Sequence, residues 1–503
     1  MKIATQQVLK ELDALAEERR QRILTAPDTL MITGTAYYVS NAGSDENDGL
    51  TPSTAWQTLA KASAAALCPG DGVLLCRGDL FRGTLRAQSG VSYGAYGEGP
   101  KPKIYVGTRD LADPALWEVY DKERSIFRLR DTIRDVGTLV FNGGEAVAYK
   151  LIPSYIGGRF VCRLDEERVF DVHTELERDL DMYWEFAGTK MTTAPDDQAP
   201  VPDMYDAPDG YLYLRCDRGN PGEVFASIEA AESAHGIVVG GCQNVCIENL
   251  TIRYAGRHGI AAVGVCVSGL HVRGCELGWI GGVIHSFTAC DPNFPEAHRG
   301  SVARFGNAIE IYGGCDDYVV EDCYIYQCYD AGITHQVSTF GQKRTMTNIL
   351  YKNNLIEHCV YSIEYFLDTP EDDTECYMDG VDISGNILRF AGEGWGQQRH
   401  NAHTPAHIKG WSYTNPARSF VIRDNVFDRA AYQMIHAVAK KQESAPTMQG
   451  NTYIQYRGGM VGRHGGNEIA EPEILFFDEA IDEKLVRYFG ERDAKAYMVD
   501  IYR

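Results

Sequence analysis

Two columns of residues recur along the second half of the chain at an interval that few folds can use. Aligned on a small or polar residue followed by alternating apolar ones, Asn249, Cys275, Cys323, Asn354, Asn386, Asn425 and Asn451 share one column, with steps of 26, 48, 31, 32, 39 and 26 residues. A second column runs Ile237, Ile260, Val283, Ile309, Ile333, Ile363, Ile408 and Ile435, and its shortest steps are 23 residues. A common minimum near that length, lengthened wherever polar insertions sit, describes stacked coils with loops spliced into them. The apolar runs are short and alternate, so each coil is built of strands rather than helices.

Coils of this length suit a parallel β-helix, in which every turn contributes two or three short strands and stacks its aliphatic and Asn residues on the next turn. A leucine-rich repeat lacks its L-x-x-L-x-L pattern here, and a propeller blade needs four strands per unit. The chain has 503 residues, of which 51 are Gly, above the ordinary share of about 7%. That excess fits a fold with many bends. We therefore expect an all-β solenoid divided as follows: 1–33 an N-terminal amphipathic helix, 34–105 the first coils and cap, 106–230 an inserted antiparallel β-module, 231–470 the core with groove loops, and 471–503 a C-terminal helical cap. The terminal helix at Met1 to Leu24 either caps the solenoid or joins subunits of a homo-oligomer.

In Tyr37 to Leu85 a strand-like run, a turn cluster, a short helix and the Pro69-Gly70-Asp71-x-Val73 strand follow one another. This segment, with the coils from Phe305 to Gln336, resembles the right-handed parallel β-helix, pectate-lyase-like superfamily of carbohydrate-active proteins. The resemblance implies the fold and a carbohydrate partner. It leaves the reaction open, because the architecture carries lyases, hydrolases and adhesive proteins.

The formal charge of −22 opposes nucleic acid, anionic membranes and polyanionic polymers, and favours a neutral glycan. No apolar run is long enough to span a bilayer, and charges interrupt any signal-like stretch at the N-terminus, so a cytoplasmic location is expected. The cysteines fall in strand-like runs and read as packed thiols. Neither Cys242-x3-Cys246 nor Cys323-x4-Cys328 is followed by a second half of a zinc site, and no cofactor is expected. The Asp45 to Gly49 run lacks the ligand spacing of a calcium loop and reads as a solvated turn.

If the Ile column faces the core, the next residue of each strand faces outward: Ala261, Ile284, Glu310, Thr334, Glu364, Lys409 and His436, with His407 on the other side of Ile408. Ionisable residues thus concentrate on one face. Insertions at Ser286 to Arg304, Thr339 to Arg344, Leu367 to Tyr377 and Gly392 to Ala406 sit in the same coils, where long loops build binding walls. Within the last, Trp395 offers a sugar-stacking face, and Arg399 and His400 offer hydrogen bonds. A metal cluster of His400, His403 and His407 would need a helix that Pro405 opposes. Asp330, at a bend, is either a turn residue or a carboxylate at the groove edge. His335 is expected in the core beside Ile311 and Tyr365, and is kept as a candidate substrate ligand. Arg257 and His258 are expected at the rim.

Glycoside hydrolysis needs a protonated carboxyl and a second carboxylate. Glu310 and Glu364, one coil apart from adjacency, should have Cα atoms about 10 Å apart, close to the separation that suits inversion. Lys409 is expected to keep Glu364 ionised, leaving Glu310 as the acid, with His436 beside them. Polysaccharide β-elimination is the alternative, with Lys409 and His436 as bases and Glu310 and Glu364 holding calcium. A non-catalytic glycan-binding β-helix is the third reading.

Overall fold

The computed structural model describes residues 2–152, 154–156, 159–161, 175–186, 209–287, 302–399, 404–412 and 414–500. His400 and His403, the surface loop expected at Thr192 to Asp209, and most of the Ser286 to Arg304 insertion lie outside them.

Among the described residues the chain winds through three long sheets of ten, ten and eleven strands, and nearly all neighbouring strands in them run parallel. One coil illustrates the path: Thr345–Lys352 in sheet II, Leu355–Glu357 in sheet III, then Tyr361–Asp368 in sheet I. The architecture is a parallel β-helix, as the repeat columns require. Sheet I carries the Ile column in register: Ile237 pairs with Ile260, Ile260 with Ile309, and the chain of partners continues through Ile333, Ile363, Ile408 and Ile435. All of these side chains are buried in one continuous core.

Val283 and Ile284 do not belong to that column. Val283–Phe287 folds back antiparallel on Val302–Phe305, so the insertion leaves the solenoid as a hairpin, and Ile284 packs into the core of the inserted module. Glu310 therefore lies directly beside Ala261 on the adjacent rung.

The polar column is a hydrogen-bonded ladder. Asn354, Asn386, Asn425 and Asn451 each accept, through the side-chain oxygen, the backbone N–H of the residue one rung earlier, at 2.9–3.0 Å. Each also donates to a carbonyl oxygen of the preceding coil, at Val320, Tyr351, Ile383 and Ile422. Asn451 ends the ladder on Glu491. Asn249 stands one place out of this column, because Thr251 pairs with Glu276 and so sets Leu250 beside Cys275. Instead Asn249 heads the adjoining corner column, whose members all have positive φ: Asn249, Gly274, Asp322, Asn353, Gly385, Asp424 and Gly450. Only Gly, Asn and Asp enter that region readily, which explains the composition of the corner. At Gly274 a Cβ would also come within 2.6 Å of the Asn249 side-chain oxygen.

The helix Gln6–Leu24, capped by the Thr5 hydroxyl, lies on the outside of sheet III. Its Ala16 and Ile23 pack on Leu355 and Ile387, and Arg20 pairs with Glu357 at 2.7 Å. The C-terminal segment is less helical than its charge pattern suggests. Only Ile481–Phe489 is helical; Lys495–Val499 adds a further parallel strand to sheet III, and Lys2–Ile3 pairs with that strand in turn. A short polar strand thus covers the last edge. No helix among the described residues is long and apolar enough to cross a membrane.

Between Trp117 and Glu232 lies a mainly antiparallel module with its own core around Trp117, Leu139, Trp184 and Leu212. Buried polar groups fasten it to the solenoid. Asp135 pairs with Lys150 and accepts the backbone N–H of Ile284 at 2.6 Å. Gln398, from the loop after Gly392, accepts from Lys150 N at 3.1 Å and donates to Ala148 O at 2.9 Å. Removing one partner of such a buried pair leaves an uncompensated charge, so this docking is specific.

Candidate active site

Outward side chains from two rows on sheet I form the floor of a cavity of about 430 Å³, Glu310 and Glu364 from the first row and Val263, Tyr312, Gln336, Phe366 and Trp411 from the second. The first row, set by the strand register, runs Ala261, Glu310, Thr334, Glu364, Lys409, His436 and Arg463. The second lies two residues further along each strand: Val263, Tyr312, Gln336 and Phe366 in register, followed by Trp411 after the Tyr365–Gly410 pair. Tyr312 and Phe366 meet edge to face at 5.9 Å. Carboxylates therefore stand along one side of the floor and aromatic rings along the other. His258, His285, Phe305, Asn307, Asp330 and Arg399 complete the lining.

Glu310 is held by two donors on the same oxygen, Asn307 Nδ2 at 2.6 Å and Thr334 Oγ1 at 2.7 Å. The Thr334 hydroxyl accepts from Ile311 N at 2.9 Å, so its own proton is committed to the carboxylate. Burial pushes the Glu310 carboxyl up to about 7; the two hydrogen bonds oppose the rise and Asp330 adds to it. Glu364 accepts from the indole N–H of Trp411. Burial, then the charges of Asp330 and Glu310, drive the Glu364 carboxyl well above the usual carboxylate range, against the pull of Arg399 and the Trp411 hydrogen bond. Arg399 forms a buried ion pair with Asp330. Asp330 and Glu364 thus share one guanidinium, and burial raises both glutamates above the range of exposed carboxyls.

The cavity brings together four of the residues singled out by the sequence: Glu310, Asp330, Glu364 and Arg399. Asp330 is a cavity carboxylate as well as a bend residue. His258 is a wall residue rather than a rim residue, 8% exposed.

Five others are placed differently. Lys409 follows Glu364 in the row, but its Nζ donates to Thr404 Oγ1 at 2.8 Å and sits 4.1 Å from the centre of the Trp411 ring. The indole, not the ammonium, meets Glu364, which corrects the expectation that Lys409 keeps that carboxylate ionised. His436 lies one rung beyond, with Nδ1–H donating to Gly410 O at 3.0 Å, and burial lowers its imidazole to about 4. His335 is in the core, stacked on Tyr365 at 5.5 Å and hydrogen-bonded to Tyr351 Oη, so it is no substrate ligand. His407 is also fully buried, on Ser362 Oγ at 3.1 Å, with its ring against Phe427. Trp395 offers no sugar-stacking face: its N–H donates to Gln327 O at 2.8 Å and its ring packs on Tyr329 at 5.0 Å. Its role is to anchor the short helix Trp395–Gln398 and so hold Arg399 over the floor.

The second row was missed. Its signal was present in the sequence, since Tyr312, Phe366 and Trp411 share the outward parity of Glu310, Glu364 and Lys409. Asn307 and His285 come from corners and a hairpin that no periodicity marks.

No protein-family model matches the chain, and no curated protein sequence matches it. Solved structures do resemble it. XylC in complex with xylose is 9% identical, with 92% of this chain and 83% of that chain covered and a TM-score of 0.45. Pectate lyase Pel9A is 12% identical, with 95% and 80% covered and a TM-score of 0.42. GH136 lacto-N-biosidase from Eubacterium ramulus is 12% identical, with 98% and 71% covered and a TM-score of 0.35.

Proposed function

We propose that the protein is a glycoside hydrolase acting on a neutral oligosaccharide or glycoside, with Glu364 and Glu310 as its acid–base pair. The observation that carries this reading is the pair itself: two buried glutamates on alternate rungs, facing one cavity with an aromatic floor. Two rungs set their Cα atoms about 10 Å apart, a spacing from which glutamate side chains can reach the roughly 6.5–9.5 Å that leaves room for a water and gives inversion.

The electrostatics support one division of roles. Glu364 is the group most strongly held protonated, and so donates a proton to the departing glycosidic oxygen. Glu310 has its charged form supported by Asn307 and Thr334, and ionises near pH 7 to activate water. Asp330, ion-paired with Arg399, adds negative potential where positive charge develops on the sugar. Tyr312, Phe366 and Trp411 offer apolar surface to the flat face of a sugar ring.

The test is a panel of aryl glycosides and short neutral oligosaccharides, followed by NMR of the first-formed anomer. Release of a reducing end with inverted configuration is expected. An ultraviolet-absorbing unsaturated product, without new saturated reducing ends, would sink the hydrolase reading.

Elimination draws on one observation, the Lys409 ammonium, which burial lowers to about 8 and so towards a general base. Its orientation away from the cavity tells against that role. Lys409→Met is expected to keep kcat within about 5-fold of wild type, whereas removal of an elimination base would lower it by at least about 100-fold.

The pH profile provides another test. Activity requires Glu310 ionised and Glu364 protonated, so kcat/KM rises through about pH 7 and falls as Glu364 loses its proton at higher pH. In Trp411→Phe the ring is kept but the hydrogen bond that stabilises ionised Glu364 is lost. Its pKa then rises, and the alkaline limb should move to higher pH. A limb that stays in place or moves down would refute the assignment of Glu364 as the acid.

A further inference from the structure

Asn307 occupies a node in the cavity wall. Its side chain donates to Glu310 at 2.6 Å and accepts from Ala331 N at 2.6 Å, while its backbone N–H donates to His258 Nδ1 at 3.0 Å. A ring nitrogen that accepts a backbone N–H carries no proton, so the neutral His258 ring has its proton on Nε2. The ring is fixed on its other side as well. It lies parallel to His235 at 5.4 Å, and the backbone N–H of His258 points to His235 Nδ1 at 3.4 Å. Among the described residues Nε2 has no hydrogen-bond partner, and His258 lines the same cavity as Glu310 and Glu364.

From this geometry we infer that His258 is a specificity-determining residue: a donor, locked in the Nε2–H tautomer, that binds an acceptor oxygen of the sugar held next to Glu310. The inference rests on the glycoside hydrolase reading and deepens it. The ligand class that satisfies such a donor is a hydroxyl, a ring oxygen or an acetamido carbonyl. An ammonium group of an amino sugar has only protons to offer and is rejected.

The groups around the ring support a permanently neutral donor. His235, His285 and Arg257 all face it, and each disfavours a second positive charge; burial acts in the same direction and more strongly. Binding at this point should therefore be independent of pH across the working range, unlike the two glutamates.

Two substitutions separate this role from a merely structural one. Glutamine places an amide N–H near the position of Nε2 but offers nothing at Nδ1. Asparagine reaches only the Nδ1 position, so it can accept from Asn307 N without presenting a donor to the cavity. On any aryl glycoside that the wild type turns over, His258→Ala should lose about 10- to 100-fold in kcat/KM, the size of one buried hydrogen bond. His258→Gln should recover most of that loss through KM, and His258→Asn should not. The opposite ranking would show that the ring serves only to hold Asn307, and would overturn the proposal.

A direct readout needs no turnover. In the full-length wild-type protein, 15N NMR of the His258 ring should show a protonated Nε2 and a bare Nδ1, unchanged from about pH 5 to 8. Addition of glucose, galactose, xylose or N-acetylglucosamine should shift the Nε2 signal. A protonated Nδ1, a titration in that window, or an Nε2 signal unmoved by every one of these sugars would each refute the inference. If no glycoside is hydrolysed yet neutral sugars shift Nε2, the hydrolase reading fails while the donor assignment stands.

Discussion

Glu364→Gln is expected to lower kcat/KM on an unactivated glycoside by about 1,000-fold, within the range that general acid catalysis contributes. The same variant should remain close to wild type on a dinitrophenyl glycoside, whose leaving group needs no proton. Glu310→Gln should be slow on both substrates, because water still has to be activated whatever leaves. Steady-state kinetics of the two variants on the two substrates therefore distinguish the acid from the base. If Glu310→Gln were the variant rescued by the activated leaving group, the acid and base would be exchanged. If neither substitution reduced turnover on either substrate, the carboxylate mechanism would be excluded.

Asn386→Leu should be the most damaging small change to the scaffold. The Asn386 side chain accepts from Asn354 N at 2.9 Å and Asn354 Nδ2 at 3.0 Å, and donates to Tyr351 O and Asn425 Oδ1 at 2.9 Å. Leucine fills the same volume but takes the side-chain partner from Asn354 N and Tyr351 O, at about 1–3 kcal/mol each, while Asn354 Nδ2 keeps Val320 O and Asn425 Oδ1 keeps the backbone N–H of residue 386, so a loss of about 2–6 kcal/mol is expected. Urea denaturation followed by circular dichroism would measure it. A loss below about 1 kcal/mol would mean that the ladder is decorative, since surface substitutions commonly give that much.

The ladder and the Ile column were both legible in the sequence because a solenoid repeats its environment at every turn. The same kind of residue must recur wherever the same site recurs. Asn249 was read one place out because its neighbours, not its type, decide which of two adjacent Asn-accepting columns it joins. Val283 was misread because an insertion that leaves as a hairpin begins with the same alternating apolar residues as a rung.

In the site, Glu310 and Glu364 could be placed on one face from alternation alone. The roles could not. Lys409 is as close to Glu364 along the row as the register allows, yet Trp411 intervenes and supplies the hydrogen bond. His407 and Trp395 look like sugar ligands by residue type, but packing on Ser362 and Phe427 buries the first and an anchored loop buries the second. Asn307, which joins His258 to Glu310, sits at a corner where no periodic signal operates.

By itself, then, the sequence determined the architecture and the outward row of carboxylates, because strand alternation and the coil repeat are local rules summed many times. Tertiary structure alone decided which of the outward groups meet in one cavity and how strongly burial and neighbouring charges raise each carboxyl. Those depend on loops that cross rungs, on burial, and on Arg399 and Trp411 arriving from other coils, and none of these leaves a period in the chain.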